Sequence, residues 1–201
     1  MNGETSNLAT LRHEDPETYL RTALGAVEQG MLRDAVLDRL PVPIYLTDTT
    51  GLVIYWNRAC ADFAGREPRL GQDRWCVTWR IHTTDDEHLP HERCPMAVAI
   101  REKREVRGEV AIAMRPDGSR KAFRPYPTPL FDSEGKLTGA INMLIDVSEE
   151  QASALAEQAA RCRRLAQSVD DRYTVGLLRG MALGYERNAA ALRNPESARS
   201  I

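Results

Sequence analysis

No uncharged apolar run in these 201 residues approaches the ~18 needed to cross a bilayer. The opening Met1-Asn2-Gly3-Glu4 has neither the basic nor the apolar region of a secretory leader. Both absences lead us to expect a cytoplasmic protein. Strong charge is missing too: 27 Lys and Arg stand against 29 Asp and Glu, a net −2, which excludes a nucleic-acid binder that works by broad phosphate neutralisation. Cys60, Cys76, Cys94 and Cys162 form no C-x-x-C pair, so four free thiols are expected in a reducing compartment. There is no G-x-S-x-G, no phosphate-cradling glycine loop and no H-E-x-x-H, and Asp85-Asp86-Glu87 reads as a solvated loop run. No histidine follows His91, so the C-terminal helices cannot carry a phosphoacceptor. The chain is expected not to be an enzyme.

What remains is 42% hydrophobic and 28% charged, enough for one globular domain with helical appendages. Its centre is Leu137 to Val147, where alternation sets Ile141, Met143 and Ile145 on one face and Ala140, Asn142 and Leu144 on the other. A strand apolar on both faces belongs inside a sheet. It ends at Asp146-Val147-Ser148-Glu149-Glu150, an acidic helix start.

Residues 1–14 read as a frayed tail, and Asp15-Pro16-Glu17 opens an amphipathic helix over 15–39 with Leu20, Leu24, Val27 and Met31 on one stripe. It stops before Pro41 and Pro43. Ile44–Asp48 and Leu52–Asn57, joined across Thr49-Thr50-Gly51, form a hairpin; Asn57 then caps a short helix closed by Gly65. Residues 66–94 show no sustained period and are expected to be short helical turns and loops. Pro95 opens a helix to Lys103. Strands follow over 108–114, 121–131 and 137–147, parted by turns at 116–119 and 132–135. Pro125, Pro127 and Pro129 remove every donor on one side of the fourth strand, so it should pair fully with the central strand and part from the edge strand beyond Ala111.

Several of these segments together resemble a PAS domain over about residues 38–150. They are Asp48-x-x-Gly51 before Ile54-Tyr55-Trp56-Asn57-Arg58-Ala59, Leu89-Pro90 through Pro95–Ile100, and Arg115-Pro116-Asp117-Gly118-Ser119. Pro129-Leu130, Gly135, and Gly139-Ala140 leading to Asp146-Val147-Ser148-Glu149 complete the pattern. The nearest likeness is to the PAS unit at the front of bacterial sensor histidine kinases in two-component systems, without the kinase. The resemblance implies an α+β fold: a five-stranded antiparallel sheet in the order 2-1-5-4-3, with short helices on one face over a small-molecule cavity. The PAS domain would span 40–148, between the N-terminal helix and a helical hairpin at 149–193, with a tail at 194–201. By the same resemblance Ala140, Asn142 and Leu144 face the cavity. Ile141, Met143 and Ile145 then need a lid, for which the N-terminal helix of the same or a partner subunit is suited.

Ligand-cavity candidates on this reading are Tyr45, Thr47, Ala113, Phe123, Asn142 and Leu144. Flavin is disfavoured: PAS proteins that sense light through flavin resemble Asn-Cys-Arg-Phe where this chain has Gly71-Gln72-Asp73-Arg74-Trp75-Cys76. Their sheet amides are replaced by Ala113, Phe123 and Leu144, leaving Cys76 as a buried small side chain. His88-x-x-His91-x-x-Cys94 has a spacing zinc could use, but only one tight group is visible. By the same resemblance, PAS proteins that carry haem ligate the iron from the helix that here begins at Pro95, and that helix holds no histidine. A metal or haem redox sensor and a small transcriptional regulator are the alternative readings.

Beyond Ser148, Leu155, Ala159, Cys162, Ala166 and Val169 make one seam, and Leu178, Ala182, Tyr185, Ala189 and Leu192 another, split at the capping Asp170-Asp171. These predict an antiparallel hairpin. Gly176, Gly180 and Gly184 form a ridge opposite the second seam and suggest a protein partner there. The expectation is a noncatalytic sensory module relaying ligand or partner binding through flanking helices and a homodimer built on the N-terminal helix and outer sheet face.

Overall fold

Strand β8 (Leu137–Asp146) is the axis of the sheet, paired on one side with β1 (Ile44–Asp48) and on the other with β6 (Arg120–Pro125) and β7 (Thr128–Phe131). The computed structural model describes residues 15–28 and 36–193; both expected tails and Met31 lie outside the described residues. The remaining elements are α1 (Pro16–Glu28), α2 (Val36–Arg39), β2 (Val53–Trp56), α3 (Arg58–Ala64), β3 (Arg80–His82), β4 (His88–Leu89), α4 (Pro95–Glu102), β5 (Ala111–Met114), α5 (Ser148–Gln167) and α6 (Arg172–Arg193). The sheet runs β2-β1-β8-β6-β5-β3-β4, with β7 also on β8. Taking β6 and β7 as one broken strand gives the expected order 2-1-5-4-3. The added strands are β3 and β4, a small hairpin inside the stretch expected to hold only turns and loops. It pairs with the edge strand β5 through Ile81↔Ala113, and strands of three and two residues are too short to show a period.

The three prolines act as their parity predicts. Phe123, Arg124 and Pro125 face Asp146, Ile145 and Leu144, and Thr128 to Leu130 hold the same register on Ile141 to Gly139, so pairing with β8 continues. Pairing with β5 stops at Ala111↔Phe123.

Alternation divides the apolar residues into two layers. Tyr45, Ala113, Phe123, Ala140 and Leu144 pack inward against Phe63 of α3 and Met96 of α4. Ile44, Leu46, Ile141 and Met143 pack outward beneath Tyr19, Leu20, Ala23 and Ala26 of α1, so the N-terminal helix is the lid of its own chain's sheet. Its buried stripe is rotated from the expected one, with Leu24 and Val27 at its edge. The other half of the outer face, Ile112 and Ala122, lies under Leu155 of α5 and Ala189 and Leu192 of α6; Ile145 touches both coverings.

The hairpin folds on the seams read from sequence: Leu155, Ala159, Cys162 and Ala166 of α5 and Ala182, Ala189 and Leu192 of α6 are buried. Asp171 caps α6 by accepting the Thr174 N–H at 2.8 Å. Asn57 behaves differently from expectation. It occupies the N-cap position of α3 but makes no side-chain cap. Its carboxamide accepts the Ile44 N–H at 3.0 Å and donates to the carbonyls of Leu37 and Val42 at 3.0 and 2.9 Å. Buried backbone groups at and before β1 claim the Asn57 side chain in preference to the helix end, whose N–H groups solvent can serve.

Candidate functional site

Tyr45 of β1 and Asn142 of β8 are direct cross-strand partners on the inner face. The Asn142 amide donates to the Tyr45 hydroxyl at 2.9 Å, the hydroxyl donates to the Trp75 carbonyl at 2.9 Å, and the Asn142 carbonyl oxygen accepts the Tyr126 N–H at 2.9 Å. A buried polar chain thus runs from β7's approach through the sheet centre to the segment before β3. Burial pushes the Tyr45 hydroxyl well above its ordinary value, with Cys76 and Cys94 adding to the shift, so it is a neutral donor and acceptor.

Trp75 makes this geometry possible at a conformational cost. Its φ of 64° is left-handed, uncommon for a bulky residue. That twist turns its carbonyl inward, where the Cys94 thiol also donates to it at 3.7 Å. The ring lies flat on Gly51, where any Cβ would collide with it, and the Trp75 N–H donates to the Gly51 carbonyl at 2.7 Å. Nothing in the sequence marks Trp75 for this role, because backbone conformation at one non-glycine residue leaves no periodic trace.

Cys60 and Cys94 are held as neutral thiols. Burial drives Cys94 up to about 12 and raises Cys60 as well, and the Cys60 thiol donates to the Ile44 carbonyl at 3.2 Å. Cys76 and the Thr78 hydroxyl are 3.1 Å apart.

Of the six cavity candidates, Tyr45, Ala113, Phe123 and Leu144 fall in one cluster and Asn142 is hydrogen-bonded to the first of them. Thr47 is buried with its hydroxyl unpartnered. Tyr45, Val53, Val77, Met96, Ala113 and Leu144 each have 0% exposure. A side chain facing a void large enough for water retains accessible surface, so at these positions the cup is filled by the chain's own groups. His88, His91 and Cys94 do not converge. His88 stacks edge-on against His82 at 5.9 Å, Cys94 points inward to Trp75, and His91 lines an outer cleft with Arg66. Among the described residues no three His, Cys, Asp or Glu side chains are placed to hold a metal ion.

The flanking helices connect directly to this core. Asp146, four residues beyond Asn142 on β8, accepts the Ser148 N–H and hydroxyl at 3.0 and 2.6 Å and pairs with Lys121. These contacts outweigh the upward push of burial and hold its carboxyl below the usual range. Ser148 in turn accepts the Ala122 N–H at 3.0 Å, so the first residue of α5 is tied to β6.

Among solved structures the chain is similar to the light-oxygen-voltage (LOV) protein of Rhodobacter sphaeroides, at 18% identity over 83% of this chain and 96% of that one, TM-score 0.47. It is similar to the LOV domain of a blue-light activated histidine kinase from Erythrobacter litoralis, at 24% identity over 54% and 97%, TM-score 0.40. It is also similar to an RNA-binding light-oxygen-voltage receptor, at 18% identity over 92% and 40%, TM-score 0.42. No curated protein matches the chain. Residues 37–152, more than half of the chain, match the family described as the PAS fold, and the protein belongs to that family.

Proposed function

We infer that the chain is a noncatalytic sensory module of bacterial signal transduction, working in the cytoplasm, in which the state of the Tyr45–Asn142 pair is relayed along β8 into the α5–α6 hairpin. The observation that carries this reading is continuity. One strand holds Asn142 at the centre of the core and, four residues on, Asp146 as the anchor of α5. A change at Tyr45 that shifts β8 therefore changes the base of the hairpin without passing through a loop. The sensed event acts on packing and hydrogen bonding; no catalytic step is needed.

Homodimerisation belongs to the same reading. Leu20 and Ala23 of α1 are taken up by the chain's own sheet, while Leu24 and Val27 are only partly covered. A second copy completing that edge accounts for the exposed part of the stripe. On α6, Gly176 and Gly180 are exposed and nothing lies within 4 Å of a Cβ built at either or at Gly184, beside exposed Tyr173, Leu177 and Met181. That open ridge suits a protein partner.

Hydrogen exchange tests the relay. Tyr45→Phe removes one hydroxyl, leaves the ring in place, and should speed exchange in α5 and α6 while the sheet stays protected. Equal hairpin exchange in the two proteins would refute the relay.

A further inference from the structure

On the outer side of the segment that carries Trp75 lies a cleft of ≈ 260 Å³, between the loop after α3 and the turn at His91. Its wall includes Arg66, Arg69, Arg74, Trp79 and His91, with Cys76 at its inner side. Two nitrogens there are buried and unpartnered, Arg66 Nε and His91 Nε2. Neither reaches water, and an unsatisfied buried polar atom costs on the order of 1–3 kcal/mol; Arg66 Nε is a donor, and His91 Nε2 is one in the tautomer that carries its proton there. Two such atoms in one cleft mark a place short of partners.

The donors are held in position. Asp73, 7% exposed, takes Arg66 Nη2 at 2.7 Å and Arg69 Nη2 at 3.1 Å, and also accepts the Arg69 backbone N–H at 3.0 Å. Burial alone would raise the Asp73 carboxyl, but these bonds outweigh it and keep it below its usual range. Arg66 also donates to the Thr78 carbonyl at 3.3 Å. Three guanidinium groups line the cleft against two carboxylates, Asp73 and Glu92, and burial with Arg66 nearby keeps His91 neutral. A ligand here that pairs with Arg66 and with that tautomer of His91 brings acceptors and one negative charge. Trp79 supplies an apolar wall: the residue is 44% exposed and Arg80 stacks on its ring at 4.2 Å.

We propose that this cleft binds a small organic carboxylate, whose oxygens pair with Arg66 and His91 and whose apolar body lies against Trp79. Resting on the sensory reading above, it serves as that sensor's input. Cys76 is in its wall, and the next residue back, Trp75, holds the Tyr45 hydroxyl.

Isothermal titration of the full chain with benzoate, acetate and inorganic phosphate tests the site. Benzoate should bind at one saturable site, more tightly than acetate. Arg66→Lys keeps the charge but loses the planar fork, and should weaken binding at least tenfold. His91→Phe should weaken it similarly, and Trp79→Ala, at a largely exposed ring, should weaken benzoate but not acetate. Thermal melts establish that each variant is folded, and Trp79→Ala decides the matter if Arg66→Lys does not fold. No saturable benzoate binding, unchanged affinity in His91→Phe and Trp79→Ala, or tighter binding of phosphate would each overturn the assignment. Benzoate binding with no change in hairpin exchange would uphold the site and overturn its role as the input, while the relay itself stands or falls by Tyr45→Phe.

Discussion

The carbonyl of Pro127 accepts a hydrogen bond from Arg107 Nη1 at 3.0 Å, across the gap that the prolines open between β5 and the β6–β7 strand. The same guanidinium donates to the Thr128 hydroxyl at 3.0 Å and lies 5.3 Å from the Tyr126 ring centre. This side chain, together with the Val106 N–H on the Pro127 carbonyl at 3.4 Å, stands in for the missing ladder. Arg107→Ala should destabilise the fold by about 1–3 kcal/mol, the cost of stripping the guanidinium from the Thr128 hydroxyl and leaving the Pro127 carbonyl only the Val106 N–H at 3.4 Å. Denaturant melts would measure this, and a change under 0.5 kcal/mol would show that water replaces the guanidinium, about the effect of a neutral surface site.

Gly51 and Gly135 form a matched pair for a second prediction. Both have positive φ, 84° and 77°, but a Cβ at Gly51 meets the Trp75 ring and one at Gly135 meets nothing within 4 Å. Gly135→Ala should cost only the left-handed penalty, about 1–2 kcal/mol. Gly51→Ala adds overpacking, about 1–3 kcal/mol more, and should displace Trp75 from its twist. Equal losses in the two variants would refute the role given to the Gly51–Trp75 contact.

Acid should weaken the protein through His91. Burial lowers its pKa and Arg66 adds to that, while Glu92 and Asp73 act in the opposite direction; His88 is the other nearby titratable group. The unfolded chain takes up this proton near pH 6.5, the folded chain only lower. Between those values the unfolded state binds more protons, so stability falls as pH drops below about 6.5 and is indifferent to this group above it. Asp73 and Asp146, with carboxyls below their usual range, contribute only in stronger acid. His91→Phe should flatten the slope of melting temperature between about pH 7 and pH 5. An unchanged slope would exclude His91 as its source.

Gly180 separates helix propensity from partner binding. Gly180→Ala should stabilise the hairpin by about 1 kcal/mol, because nothing crowds the new methyl and the unfolded chain loses freedom. Gly180→Leu should keep the core folded and abolish assembly at the ridge, read by light scattering with the cognate partner or a second copy. Assembly unchanged in Gly180→Leu would remove the ridge as an interface.

What could be read from sequence was whatever repeats. The parity of β8, the seams of α5 and α6 and the donor-free side of the proline stretch are each fixed by spacing along one element, and each appears as expected. Asn57 kept its position but not its cap, since the segment before β1 claims its side chain from 13 to 20 residues away. The β3–β4 hairpin and the Arg66–Asp73–Arg69 group were illegible for the same reason. They are assembled between 66 and 94 by contacts with β5 and with each other, where two or three residues per element leave no period to detect.

The clasp at the foot of the hairpin has a mechanical consequence. Arg193, last in α6, pairs with Glu149 at 2.9 Å and reaches the Ser153 hydroxyl at 3.0 Å, so both helices are fixed at the same end, beside Ser148. The turn joining them lies the length of α5 away, roughly 30 Å for twenty residues. Pinned at its base and free at its tip, the pair is a lever arm: a tilt of roughly 10° where it meets β6 carries the far turn through roughly 5 Å by the same rise per residue. Displacements at the sheet too small to break a hydrogen bond become, at that distance, the width of a strand.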